Sequence, residues 1–594
     1  MWRFIVRFFA VIGFLGVLIL VAGSITVYTL LQTDDPDPPE RVVLHLDLTG
    51  SVVDGPPGQR DVFSQFFGPP RPALPELVAA IDAAADDDRV VGLVAEFGGE
   101  TLSAATADTL RRAIEGFQDS DKPTLAYSDA FGEIGPANIA YSLASGFDRV
   151  MMHPIGSLGL VGFHSEQIFA ADALETLGVR ADFVRSGPYK TLAEMATASE
   201  MSDEHREMLE SLLDDRLTTL TEIVADSRGM STGDVATLID APPFSAEEAE
   251  AAGLIDTLGT RADFQERKEA LFGRDAETMS PADYLSLMDT EDSPQARIGV
   301  IHASGIILPG EGDMGPGSQG PATIGADRIA EEIDRAAQSG RLDGLVLRIN
   351  SGGGSAIASE TLGQALSRAG AAGLPTAVSM GPTAASGAYW VATYADHVVA
   401  HPETLTGSIG VVSGKVVLGD LAEALDITIE SVQRGENADL WSISQPFTDN
   451  QRAWLQNHVD TLYDHFVDRV VEGRGMDREA VHDVGQGRVW TGRQALDHGL
   501  VDDLGGTQNA VAALRESLDL DADAPVALVH LPETEDFMDR LRDMIGLPDW
   551  VAANGDPAAS ILARLGLDIE TLPPMLADPE AMTLYMPAVP DLDP

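Results

Sequence analysis

The sequence predicts an α/β protein made of one module written twice in tandem, preceded by a single transmembrane helix. Three features predict it. Short β-branched runs alternate with longer helical patterns, a set of motifs recurs at a nearly constant offset, and one long uncharged apolar run stands near the amino terminus.

Taken in chain order, the apolar run comes first. Residues Phe8 to Leu31 carry no charged side chain. At about 1.5 Å rise per residue, such a helix crosses the roughly 30 Å hydrocarbon core of a bilayer. Arg3 and Arg7 precede it, and Asp34, Asp35 and Asp37 follow. Basic flanks stay on the cytoplasmic side, so the short amino terminus is expected in the cytoplasm and the remainder across the membrane. A cleaved signal peptide is the competing reading, against which stand the length of the run and the lack of a clear small-x-small cleavage site. Residues 1–34 are thus expected as a stub and anchor, in contact with membrane lipid.

The duplication follows. Asp148-Arg-Val-Met-Met-His-Pro154 returns as Asp396-His-Val-Val-Ala-His-Pro402, an offset of 248 that also carries Gly162 to Gly410 and Gly187 to Gly435. Gly92-Leu-Val-Ala-Glu-Phe matches Gly344-Leu-Val-Leu-Arg-Ile, and Gly253-Leu-Ile-Asp-Thr-Leu-Gly259 matches Gly499-Leu-Val-Asp-Asp-Leu-Gly505. Order and spacing persist over most of the chain, which is the mark of a repeated unit. The copies are expected over 40–272 and 296–532. Between them, 273–295 is polar and turn-rich and reads as a linker with a short helix around Tyr284 to Met288. The Pro- and Asp-rich stretch 533–594 reads as a tail. Within each copy, strand-like runs such as Val43 to Leu48 and Thr376 to Met380 alternate with helical patterns such as Glu204 to Ser227 and Ser359 to Ala371. That alternation predicts layered α/β structure with mostly parallel strands.

Composition narrows the chemistry. With 38 basic against 94 acidic residues the formal net charge is −56, which argues against nucleic acid as a partner. Zero cysteines exclude disulfides, thiolate metal sites and a cysteine nucleophile. No metal-ligand spacing, phosphate loop or dinucleotide fingerprint stands out, so no cofactor and no metal are expected. The only lysines are Lys122, Lys190, Lys268 and Lys415. Amine chemistry has few candidates.

A duplicated core keeps its structural residues in both copies, so the informative positions are those where the copies differ. Gly381-Pro-Thr-Ala-Ala-Ser386-Gly-Ala-Tyr-Trp390 follows a strand and opens a helix, and the counterpart of Ser386 is Asn138. A serine there sits near free backbone N–H groups, although a helix cap or a close-packing small residue would look the same. Ser186-Gly-Pro-Tyr-Lys190 is matched by Arg434-Gly-Glu-Asn-Ala438, so the second copy lacks the amine. A lone lysine is ordinarily a solvated surface group. Loss of the hydroxyl in one copy and the amine in the other suggests a single Ser386/Lys190 nucleophile and base pair assembled across both, with Lys190 buried enough to be neutral. Asn350-Ser-Gly-Gly-Gly-Ser355 offers a glycine turn for an oxyanion, with donors at Gly353 or Gly354 and at Gly387.

With these residues in place, the chain resembles the long, duplicated form of the signal peptide peptidase A family, whose fold is of the caseinolytic protease and crotonase type. The resemblance covers roughly 40–530 and the anchor. It rests on Arg348-Ile-Asn-Ser-Gly-Gly-Gly-Ser355, Ala385-Ser-Gly-Ala-Tyr-Trp390, Thr406-Gly-Ser-Ile-Gly410, Val489-Trp-Thr-Gly492 and Tyr189-Lys190. It implies Ser386 as nucleophile, Lys190 as general base and Ser408 as the hydroxyl that positions the lysine amine. It also implies a membrane-anchored serine endopeptidase that degrades cleaved signal peptides, forms a homotetramer, and sits in the bacterial inner membrane with its catalytic region in the periplasm. One departure is Gly352, where the family usually has proline.

Other functions remain open at this level. A Ser-His-Asp hydrolase could use Ser386, His401 and Asp396, although His153 and Asp148 hold the same places in the copy without the serine. Acyl-coenzyme A hydratases and isomerases share the fold that the resemblance implies. A non-catalytic membrane scaffold would use both copies for oligomer contacts alone.

Overall fold

Apolar, β-branched runs become the strands of two sheets, parallel except where Val489–Trp490 pairs antiparallel with Leu405–Gly407, and near-continuous burial on both faces explains why these runs lack strict alternation. The computed structural model of the chain describes residues 39–55, 72–98, 102–133, 135–288, 294–312, 322–522 and 524–532. The expected anchor and the tail 533–594 lie outside the described residues. Among those residues no helix is long and apolar enough to cross a membrane.

The first sheet runs, edge to edge, through Thr257–Leu258, Arg149–Met152, Thr124–Ser128, Val90–Phe97, Val42–Leu48 and Glu277–Met279, all parallel. The second repeats that order with Asp503–Leu504, His397–Ala400, Thr376–Ala385, Gly344–Ser351, Ala296–Ser304 and Val526–Leu531. Hydrogen bonds repeat too. Tyr141 Oη donates to Leu254 O and Tyr389 Oη to Leu500 O. Arg228 pairs with Asp256 as Arg474 pairs with Asp502.

The long helices Asp203–Arg228 and Asp449–Arg474 are also counterparts. Ser202 and Thr448 cap their first turns, accepting from His205 N and Gln451 N, and Gly229 and Gly475 end them at φ +63°. The stretch expected as a linker is less idle than its composition suggests. Glu277–Met279 completes the first sheet, and the helix at Pro281–Ser286 buries Tyr284, whose hydroxyl bonds Asp87. This is the place Val526–Leu531 takes in the second sheet.

Two features position the site. Strand Thr376–Ala385 forks: Ala377 to Ser379 pair with His397–Ala400, while Thr383 to Ala385 pair with Leu405–Gly407. At the fork its register against Gly344–Ser351 slips, so that Ile349 faces Met380 but Ser351 faces Ala384. The second feature joins the copies. Arg180–Ser186 of the first pairs antiparallel with Val411–Val417 of the second.

Candidate active site

The fork and the ladder between copies converge on one cleft. Past the fork, the strand ends at Ala385, and Ser386 caps the short helix Gly387–Ala392 with φ +54° and ψ −121°. Few non-glycine residues adopt such a backbone, and it turns the side chain out at the helix start. Its amide donates to Gly407 O at 2.9 Å, which ties Ser386 to the strand before Ser408.

Lys190 arrives from the other copy. Strand Arg180–Ser186 carries the chain across to the second copy, and the Tyr189 amide then donates to Gln486 O at 3.0 Å. Lys190 Nζ stands 3.0 Å from Ser386 Oγ, 2.8 Å from Ser408 Oγ and 2.9 Å from Ser408 O. The residue is 7% exposed. Burial pushes its ammonium down to about 7, since the charged form loses hydration. Ser408 is itself held at φ +50°, with its amide donating to Arg488 O.

The glycine turn lies beside Ser386. Gly387 opens its helix, so its amide has no partner within that helix. A Cβ on Gly387 would stand 3.2 Å from Gly354 N, so the glycine turn and the start of this helix are packed backbone to backbone. Gly353 differs from the expectation that it could donate: its amide goes to Ser351 Oγ at 3.0 Å, so it shapes the loop. Around these groups is a cleft of about 410 Å³, walled by apolar side chains that include Leu192, Met208, Val412, Trp390, Phe466 and Val489.

The copy lacking the serine is closed at the matching place. Asn138 Oδ1 accepts from Val161 N and Gly162 N, and its Nδ2 donates to Gly162 O. The Ser-His-Asp alternative does not assemble either. His401 is fully buried and bonds Asp108 through Nδ1 at 3.0 Å, while Asp396 is spent on the amide and hydroxyl of Thr376. Asp148 does the same for Thr124 in the first copy, which marks the pair as structural.

Sequence reasoning missed the loop Gly485 to Arg488. Gly487 has φ +87°, and a Cβ there would lie 2.4 Å from Lys190 N. Glycines on either side of Gln486, next to a recognisable motif, were the available signal.

The model of peptidase family S49 matches residues 116–274 and 368–521, a segment in each copy, the first containing Lys190 and the second Ser386. The chain belongs to peptidase family S49. It is a serine peptidase. Two relatives named Protease 4 support the assignment along most of its length. That of Haemophilus influenzae is 29% identical over 76% of this chain and 74% of its own. That of Salmonella typhi is 29% identical over 87% of each. An Enterococcus faecium protein named as a candidate signal peptide peptidase SppA is 29% identical over 41% of this chain and 71% of its own. In this S49 chain the repeat is therefore a repeat of the family's own unit.

Proposed function

We propose that this S49 peptidase cleaves apolar peptides, signal-peptide remnants foremost, with a Ser386/Lys190 dyad drawn from both copies of one chain. The observation that carries this is the buried amine 3.0 Å from the serine hydroxyl. A neutral lysine has two N–H donors and one lone pair. The two acceptors of Ser408 suit the donors, which leaves the lone pair for the Ser386 O–H. Ser386 Oγ then attacks the peptide carbonyl as its proton passes to Lys190. The amides of Gly354 and Gly387 receive the oxyanion, and the C–N bond breaks as Lys190 returns the proton to the leaving amine. Water, deprotonated by the same amine, attacks the acyl carbonyl, and the ester bond breaks as Lys190 returns that proton to Ser386 Oγ.

The apolar walls of the cleft favour a substrate released from a bilayer, and the relative named for signal peptides points the same way. In this proposal residues 1–34 anchor the protein in a bacterial inner membrane, and the two copies lie in the periplasm and assemble as a homotetramer. Hydrolysis of an apolar signal peptide and of a polar peptide of equal length tests it, using the detergent-solubilised full chain and its Ser386→Ala and Lys190→Ala variants. Turnover of the apolar peptide by wild type alone is expected. Equal turnover of both peptides would overturn the substrate assignment, and an active Lys190→Ala variant would overturn the dyad.

A further inference from the structure

The sheet fork that delivers Ser386 is held by a buried cation. Arg348 lies on Gly344–Ser351, the strand that runs into the glycine turn, and its side chain is 4% exposed. Its Nη1 donates to Met380 O at 2.7 Å and to Ser379 Oγ at 2.9 Å. These are the last residues before the register slips. One guanidinium therefore bridges the strand leading to the oxyanion turn and the strand leading to the nucleophile.

A buried guanidinium needs a counter-ion, and among the described residues it comes from the first copy. Asp54, from the first copy, faces Arg348 with Oδ2 at 2.8 Å from Nη2 and both oxygens at 3.3 Å from Nε. Burial alone would push its carboxyl up, and the guanidinium reverses this and holds it below its ordinary value. His401 Nε2 stands 3.4 Å from Nη1, but its ring is committed to Asp108. Asp54 is thus the carboxylate paired with Arg348.

We infer that Asp54 is a positioning residue for catalysis: by neutralising Arg348 it holds the sheet fork, and with it Ser386 and the oxyanion turn, in register. The first copy then serves the reaction centre twice, through the base and through this counter-ion. The inference rests on the Ser386 site proposed above. Loss of one partner of a buried pair leaves an uncompensated charge, and small displacements of reacting groups cost large factors in rate.

The test measures kcat, KM and Tm of the full chain on the apolar signal peptide. Asp54→Asn is expected to lower kcat about 10- to 100-fold with KM changed less than about threefold. Asp54→Glu should recover most of the rate. Should Asp54→Asn fold poorly, the double variant Asp54→Leu/Arg348→Met carries no buried charge and should fold. It should remain slow, because Met380 O has lost its donor. Wild-type kcat in Asp54→Asn or in the double variant would overturn the inference, as would folded Asp54→Glu without recovery. Ser386→Ala is the control: if it is inactive while Asp54→Asn is unimpaired, only this inference falls, whereas an active Ser386→Ala removes the site assignment and this inference with it.

Discussion

The proposed base must be neutral to act, and Lys190 is buried among neutral oxygens, its amine bonding, among the described residues, the hydroxyls of Ser386 and Ser408 and the Ser408 carbonyl. The sign of the resulting linkage is definite. The unfolded amine binds its proton up to about 10.5 and the folded one only up to about 7, so the unfolded state holds more protons between these values and stability rises with pH across that window. Below it the full cost persists, on the order of a few kcal/mol. Lys190→Met should therefore raise Tm at neutral pH, with the gain over wild type shrinking toward pH 10. Thermal melts across pH check this, and an equal or lower Tm for the variant at neutral pH would count against a buried neutral amine. Ser386 stores a different cost in its backbone. Ser386→Gly removes the Cβ that makes φ +54° unfavourable and should stabilise the fold by about 1 kcal/mol while abolishing hydrolysis.

At the scale of elements, the reach of Lys190 depends on two supports: the ladder between Arg180–Ser186 and Val411–Val417, and the loop Gly485 to Arg488 beneath it. Gly487→Ala places a methyl 2.4 Å from Lys190 N and 2.6 Å from its Cβ, at a backbone angle that disfavours alanine. The expected outcome is a loss in kcat of at least about tenfold, in a protein that still folds because Gly487, although buried, lies in a loop outside the strands and helices. Steady-state kinetics alongside circular dichroism would decide it. These elements also mark what the sequence could and could not tell. Duplicated motifs singled out Ser386 and Lys190 because the copies differ there, and the fold brings the two side chains to 3.0 Å; the helices came out within a few residues of their patterns. The fork, the Gly487 contact and the Asp54 pairing were hidden, because each depends on residues far apart in sequence and on backbone angles that no local pattern encodes. Within 273–295 the short helix was legible, expected around Tyr284 to Met288 and found at Pro281–Ser286, whereas the strand Glu277–Met279 was not, because three residues are too short to leave a periodicity.

For the whole molecule, the two copies differ at the proposed dyad: the first carries the amine and has Asn138, bonded to Val161 and Gly162, in the place of the serine, and the second carries the serine and has Ala438 in the place of the amine. Because Lys190 and Ser386 meet within one chain, mixing full-length Ser386→Ala with full-length Lys190→Ala should restore no activity, even after the variants are unfolded and refolded together. Recovery of a substantial share of wild-type turnover would mean that the dyad forms between chains. The most direct test of a shared dyad is the pH profile of kcat/KM for the apolar peptide, followed from about pH 5 to 9 in wild type and Lys190→Ala. An acid limb with its midpoint near about 7 in wild type, and a loss of at least about a hundredfold without that limb in the variant, is the predicted result. A flat wild-type profile, or a variant within about tenfold of wild type, would contradict it.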